Sequence, residues 1–412
     1  MKFPFVVVPE LDDRQLERYR KHIDSNASGW HRRWTESIWR RHQHPSNARL
    51  SGWRGPDDQK RRILHFHDEY GVEGRAFVLR HAYLWMHVSL PRSAVEAYRA
   101  AVEAALVAGQ WRAEGGEVAR GLEQQRFRRG DLVLRLAHAA EHPEDTRRGR
   151  RVPSGYESFE LWLETDGYRL PEGWGERPWR VFFDVGLRKT LARQEPRLSR
   201  PEELAELLPA QVELGCGPSI AAGIPHLSSL HRIYGVSRPD YGFIFDAEHD
   251  GLLGVIADPE AKYREMTHIY ASCVSAGQTE FYELLADLWR RGFLVGPVIT
   301  NNFDCQAADL GLPEISLRKY DWGPYYPRID YDPRARSLLV IGVHADRRLV
   351  QMRARERGLG VAYIDPERYV APDGRVIDYP VEAPQAEDAF VRLPAEEALP
   401  RLHAALSAAR KP

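Results

Sequence analysis

The feature that most constrains this chain is a glycine-rich junction in its second half. Gln211-Val212-Glu213-Leu214 reads as a short strand, and it runs directly into Gly215-Cys216-Gly217-Pro218-Ser219-Ile220-Ala221-Ala222-Gly223-Ile224-Pro225, which should open a helix. Glycine permits backbone angles closed to other residues and lets amide N–H groups approach a phosphate closely. The steric demands of a tight strand-to-helix turn select the same residues, so the turn by itself leaves both readings open.

The surrounding pattern extends the strand–helix theme. Phe281–Leu288 reads as a helix, Phe293–Thr300 as a strand, Ser337–Gly342 as a buried parallel strand, Arg347–Arg357 as a helix ending at Gly358, and Val361–Asp365 as a further strand. Such alternation predicts a doubly wound parallel sheet of Rossmann-like type. A polar, proline-bearing stretch from Arg193 to Pro201 reads as a linker. The expected division is an N-terminal α+β domain over 1–200 and a nucleotide-binding domain over 201–412.

Gly-x-Gly-x-Ser-x-x-x-Gly-Ile-Pro resembles the first signature of the sirtuin family, with Cys216 where the family usually has Ala. Ile299-Thr300-Asn301-Asn302-Phe303-Asp304 is similar to the family's Thr-Gln-Asn-Ile-Asp. Gly342-Val343-His344 stands where sirtuins carry Gly-Thr-Ser, and Ile364-Asp365 where a strand usually ends in Ile-Asn. The resemblance spans about Leu204 to Leu406, including the tail helix Ala395–Leu406, and implies NAD as the ligand or substrate. It implies that Gly215, Cys216, Gly217, Ser219, Gly223, Ile224, Pro225, Asn301, Asn302, Asp304, Gly342, Val343, His344 and Asp365 line the cofactor. In the family the Asn holds the nicotinamide ribose and a water, and the Asp contacts the nicotinamide amide.

Three departures separate the chain from a working sirtuin deacylase. His226-Leu227-Ser228 replaces the family's Asp-Phe-Arg, a form nearer the divergent sirtuin-like proteins of bacterial defence systems, some of which consume NAD. The strand Glu314–Leu317 is followed by Arg318-Lys319 in place of the catalytic His-Gly; an Arg stays protonated and cannot act as a base. No His occurs between His268 and His344. The four-cysteine zinc module is missing: the chain has 3 Cys (Cys216, Cys273, Cys305) and no metal site is expected.

His226 and His344 are the replacement-base candidates, because imidazole titrates in the useful range. With Asn302 and Asp304 they form the expected catalytic set. Each has an ordinary alternative: a surface His, or an Asn and Asp capping the next helix. Asp365 fits a ribose diol or a plain turn before Pro366. Ser219 fits a phosphate donor or a helix cap.

The first half gives less. Met1–Glu10 reads as a strand rather than a secretory signal, and Leu11-Asp12-Asp13 as the cap of a helix. Helical spacing runs through Leu16, Tyr19, Ile23, Trp30, Trp34 and Ile38. Arg75–Leu90 is one strand or a strand pair, Ala94–Ala108 a helix, Arg126–Asp131 a turn, Leu132–Leu136 and Arg180–Val185 strands, and Phe159, Leu161 and Leu163 alternate with Ser158, Glu160 and Trp162 as a half-buried strand. His42-x-His44 and His65-x-His67 lack companion ligands and read as solvated or structural. Residues 1–200 carry 36 Lys/Arg against 28 Asp/Glu, and the remainder 22 against 31. The arginines are interleaved with acids, which disfavours a nucleic-acid partner; two domains whose faces attract one another account for the asymmetry equally, and a protein partner for this half stays open. No run approaches the ~18 apolar residues of a membrane span, and the few, odd cysteines suit a reducing cytoplasm.

Three functions stay open: NAD glycohydrolysis or ADP-ribosyl transfer, non-catalytic binding of NAD or ADP-ribose, and NAD-dependent deacylation.

Overall fold

The computed structural model describes residues 3–8, 10–26, 31–37, 61–119, 122–139, 156–165, 191–225, 251–300, 302, 304–316, 329–344, 346, 349–370, 374–382 and 384–409. The expected strand Arg180–Val185, the pair His42/His44, and His226, Asn301 and Arg318 lie outside the described residues.

The first half builds an antiparallel sheet with helices. Its elements are β1 (Phe3–Val8), α1 (Asp13–Asn26), β2 (His31–Ser37), β3 (Arg61–Glu73), β4 (Ala76–Pro91), α2 (Arg92–Ala108), β5 (Arg112–Ala119), β6 (Leu122–Arg129), β7 (Leu132–Ala139) and β8 (Tyr156–Thr165). The order is β2-β3-β4-β8-β7-β6-β5, with β1 paired to β4. The apolar stretch before Pro91 is one long strand, because β1, β3 and β8 all pair with β4. Asp12 caps α1 as its sequence suggests: its carboxylate accepts from Gln15 N at 2.7 Å while its own N–H donates to Gln15 Oε1 at 3.0 Å.

Three readings of this half are corrected. The helical spacing does not continue to Trp34, which lies in β2 opposite His67. Arg126–Arg129 belong to β6, with Phe127 buried and Arg128 ion-paired to Glu114 on β5; only Gly130 and Asp131 turn. In β8 the polar alternates Glu160 and Trp162 are as buried as Phe159, Leu161 and Leu163, so both faces are covered.

The second half is a parallel sheet covered on both faces. It comprises β9 (Arg197–Leu198), a 3-10 helix (Pro201–Leu207), β10 (Ala210–Leu214), a second 3-10 helix (Gly217–Ala222), α3 (Gly251–Ala257), α4 (Pro259–Ser275), α5 (Glu280–Arg290), β11 (Val298–Thr300), α6 (Gln306–Asp309) and β12 (Glu314–Ser316). There follow β13 (Ser337–Ile341), α7 (Val350–Glu356), β14 (Gly360–Ile364), the hairpin β15 (Arg368–Val370) and β16 (Val376–Asp378), β17 (Ala389–Val391) and α8 (Ala395–Ala408). The seven-stranded order is β12-β11-β10-β13-β14-β17-β9, and every pairing in it is parallel. This is the doubly wound arrangement, whose winding reverses between β10 and β13. One face packs on α5 and α8 through Tyr282, Leu285, Leu399 and Leu402; the other packs on α7 through Val350 and Ala354.

Two expectations for this half change. The strand before Asn302 is only Val298–Thr300, because Gly296 at φ 68 and Pro297 break the run. The stretch read as a linker contains β9, where Arg197 pairs with Ala389. Helices α3 and α4 pack away from the parallel sheet. Val255, Ile256, Cys273 and Val274 share a core with Tyr98, Phe159 and Leu161 of the antiparallel half, and Trp111 Nε1 donates to Ile256 O at 2.7 Å.

Candidate functional site at the sheet switch point

Open parallel sheets bind ligands outside the carboxyl ends of their strands, where the winding reverses. Here that place is the crevice between β10 and β13, and the predicted motifs sit at its rim. Gly215 N donates to Ile341 O at 2.9 Å, which zips the two strand ends together. A Cβ on Gly215 would lie 2.0 Å from Gly342 O, so no larger residue fits. Gly342 has φ 61, and a Cβ there would lie 2.7 Å from Pro218 Cδ. The glycines of the two motifs therefore serve first to let two turns touch. The expected helix after the turn is a 3-10 helix of six residues, closed by Gly223 at φ 84. Ile224 then buries itself against the core shared with the antiparallel half, and Pro225 is half-buried.

Beyond β11 the chain crosses under the same turn. Thr300 Oγ1 donates to Leu214 O at 2.8 Å and accepts from Asn302 N at 3.0 Å. Asn302 Nδ2 donates to Gly215 O at 2.8 Å, so this side chain bridges the ends of β10 and β11. It is only half-buried, and among the described residues its Oδ1 receives no hydrogen bond.

Ser219 and Asp304 face one another rather than open space. Ser219 Oγ donates to Asp304 Oδ2 at 2.5 Å and lies 2.7 Å from the Tyr282 hydroxyl. Asp304 Oδ1 accepts from Gln306 N at 3.1 Å. All three side chains are almost fully enclosed. Burial pushes the Asp304 carboxyl up, against the Ser219 hydrogen bond, and pushes the Tyr282 hydroxyl well up. Cys305, at φ 56, is buried and its thiol is pushed well above the usual range, which leaves it inert as a nucleophile. Cys216, half-buried, is the N-cap residue of the 3-10 helix.

The opposite flank is built differently. His344 stacks on Tyr379, with ring centroids 3.8 Å apart and planes 22° apart, and its Nε2 lies 3.6 Å from Glu382 Oε1. Glu382 N donates back to His344 O at 2.9 Å. Val343 packs on the α7 side of the sheet. Asp365, at the end of β14, accepts Glu367 N at 2.7 Å, and burial raises its pKa to about 7 with Glu367 adding to the rise. Glu367 is held by Arg193 at 2.6 Å and Arg392 at 2.9 Å.

Sequence reasoning missed Tyr282, Tyr379, Glu382 and Glu314. Burial and the charge of Asp304 raise Glu314 to about 7, although Ala308 N donates to it at 3.2 Å. Its only advance signal is an acid at the head of a short strand.

No known family profile and no curated protein matches this chain. Among solved structures it has a distant match to sirtuins over about half its length. A Sir2 complex with a p53 peptide and NAD+ aligns at a TM-score of 0.30 and 14% identity, over 50% of this chain and 97% of that one. Sir2 with the inhibitor EX-527, 2'-O-acetyl-ADP-ribose and deacetylated p53 peptide gives 0.31 and 16%, over 50% and 97%. A study of the structural basis of sirtuin substrate affinity gives 0.29 and 16%, over 48% and 95%. The second half is a seven-stranded parallel sheet, and its strand order and the switch point described above carry the functional reading. No helix among the described residues is long and apolar enough to cross a membrane.

Proposed function

We propose that the β10–β13 crevice binds NAD and cleaves its nicotinamide–ribose bond. The observation that carries this reading is Asn302: an amide anchored to Gly215 O at the switch point, with Oδ1 left to hold a water or a ribose hydroxyl. The groups around it suit such a ligand. Gly342 spends its N–H on Ile364 O at 3.1 Å and so shapes the rim, and Asp365 offers a carboxyl to a diol. His226 and Asn301 complete the proposed set.

The chemistry asks little of the protein. The bond pair leaves with the pyridinium nitrogen as neutral nicotinamide, and water adds at the ribose carbon with loss of a proton, giving ADP-ribose; another acceptor would be ADP-ribosylated instead. Asn302 would orient the water. His344, with Glu382 beside it, would take the proton. Ser219 and Asp304 would act from behind the surface, holding the turn against Tyr282 and α6.

The same knot favours a second reading, binding without cleavage, because Asp304 spends its oxygens on Ser219 and Gln306 rather than on a ligand. Deacylation is the third. Incubation with NAD while nicotinamide is followed separates them. The parent should release nicotinamide, and Asn302→Ala should lower release by about 100-fold, a typical loss for one positioning group. Saturable binding with no release would favour the second reading, and no binding would end both. Release only with an acetylated peptide would restore the third.

A further inference from the structure

Helix α1 belongs to the antiparallel half, yet one face of it lies against α6 and the last turn of α4. Arg14 Nη2 is 2.6 Å from Asp309 Oδ2, at the end of α6. Gln278 Nε2, in the loop before α5, donates to the same oxygen at 2.9 Å and to Gln306 O at 3.1 Å. Gln306 Nε2 donates to Gly277 O at 2.9 Å, and its backbone N–H donates to Asp304. Asp304 in turn receives Ser219. An unbroken run of polar contacts thus links α1 to the turn after β10. A second strut runs beside it: Arg18 Nη2 and Gln15 Nε2 both donate to Val274 O, at 3.0 and 3.2 Å. Arg18 is 6% exposed, and so cannot trade these bonds for water.

We propose that α1 is a positioning element for the candidate site: Arg18 holds the last turn of α4, Arg14 holds α6, and through Gln278 and Gln306 this run sets where Asp304 and Ser219 sit. The physical case is that buried polar groups have few alternative partners, so each contact in such a run constrains the next. Arg18 also places a buried positive charge where it opposes the rise that burial imposes on Asp304. The rest of the interface between the halves is of another kind, made by apolar packing, the Trp111 bond and the ion pair of Arg129 with Glu260 at 3.3 Å.

The activity arm of this inference rests on the NAD reading; the structural arm does not. The test uses the full chain with Arg14→Met, Arg18→Met, Arg18→Lys and Gln278→Met, and with Arg129→Met as the interface control. In folded Arg18→Met, backbone hydrogen exchange over residues 304–309 and 217–222 should rise at least about tenfold, while residues 337–341 keep the parent rate. Arg14→Met and Gln278→Met should reproduce this effect, and Arg18→Lys should reverse much of it. Binding of NAD should weaken about tenfold in Arg18→Met and stay unchanged in Arg129→Met. Coupling within the run should show as non-additivity between Arg14→Met and Gln278→Met. Parent-like exchange in the folded Arg14, Arg18 and Gln278 variants overturns the proposal, as does an equal change in Arg129→Met. Should Arg18→Met fail to fold, Gln278→Met decides, since it breaks the run without touching α1. If the parent binds no NAD, the functional reading falls while the exchange result still judges the coupling.

Discussion

The two flanks of the crevice are built on opposite principles. On the β11 flank, Ser219, Asp304 and Tyr282 are enclosed and spend their polar atoms on one another. On the β14 flank, His344 and Asp365 are partly open; His344 Nε2 lies beside the Glu382 carboxylate, and Asp365 accepts from the backbone N–H of Glu367. Groups that spend their polar atoms on one another hold shape, whereas a carboxyl that titrates near neutrality, as Asp365 does, can exchange a proton. The glycine and Asn–Asp motifs run through both, so motif membership does not separate residues that frame a site from residues that would meet a ligand.

The sharpest way to break this contrast is at the seam where the flanks meet. Gly342→Ala combines a left-handed φ with a Cβ driven against Pro218, and should cost about 2–4 kcal/mol in denaturant unfolding. A parent-like midpoint would show that the turns are less tightly joined than their contacts indicate. Ser219→Ala probes the closed flank next. It strips a donor from buried Asp304 and a partner from Tyr282, so a loss of about 1–3 kcal/mol is expected.

The open flank should respond to pH. Asp365 titrates near 7 in the folded chain, above its unfolded value, so between the ordinary carboxylate range and about 7 the folded chain holds a proton the unfolded chain has lost. Stability falls as pH rises through that window. Asp365→Asn keeps the acceptor for Glu367 N–H and removes the slope. It should exceed the parent by about 1–3 kcal/mol at pH 8 and match it near pH 4, as followed by urea unfolding. Glu314→Gln should act with the same sign on the closed flank. The smallest effect expected is from Tyr379→Leu, which removes the ring under His344 and should cost about 0.5–1.5 kcal/mol, read from the unfolding midpoint.

What the sequence made legible follows from how each element is covered. β13 and β14 read clearly because helices bury both faces of the sheet and their residues are largely apolar, whereas β10 carries buried Gln211 and Glu213 and reads through the glycine turn that follows it. β6 hid behind its arginines, whose partners across the sheet are invisible in one dimension. β9 is two residues long and exists through its pairing with β17. At the candidate site, Gly342 follows β13 directly, and Asn302 and His344 lie within three residues of a strand end, places that a strand reading marks in advance. The Ser219–Asp304–Tyr282 knot was not, since its members lie 85 and 63 positions apart and meet only after the sheet has wound.

The packing of α3 and α4 also bears on ancestry and engineering. These helices arise within the sequence of the parallel half but fill the underside of the antiparallel one, and Gly109 is held so near Ile256 O that a Cβ would come within 2.2 Å. A chain cut near residue 200 would strip that underside bare and leave a sticky fragment rather than a portable cassette. Any recombination that moved the antiparallel half to a new host would have to carry residues 251–276 with it. Such halves can diverge together far more easily than they can be shuffled apart.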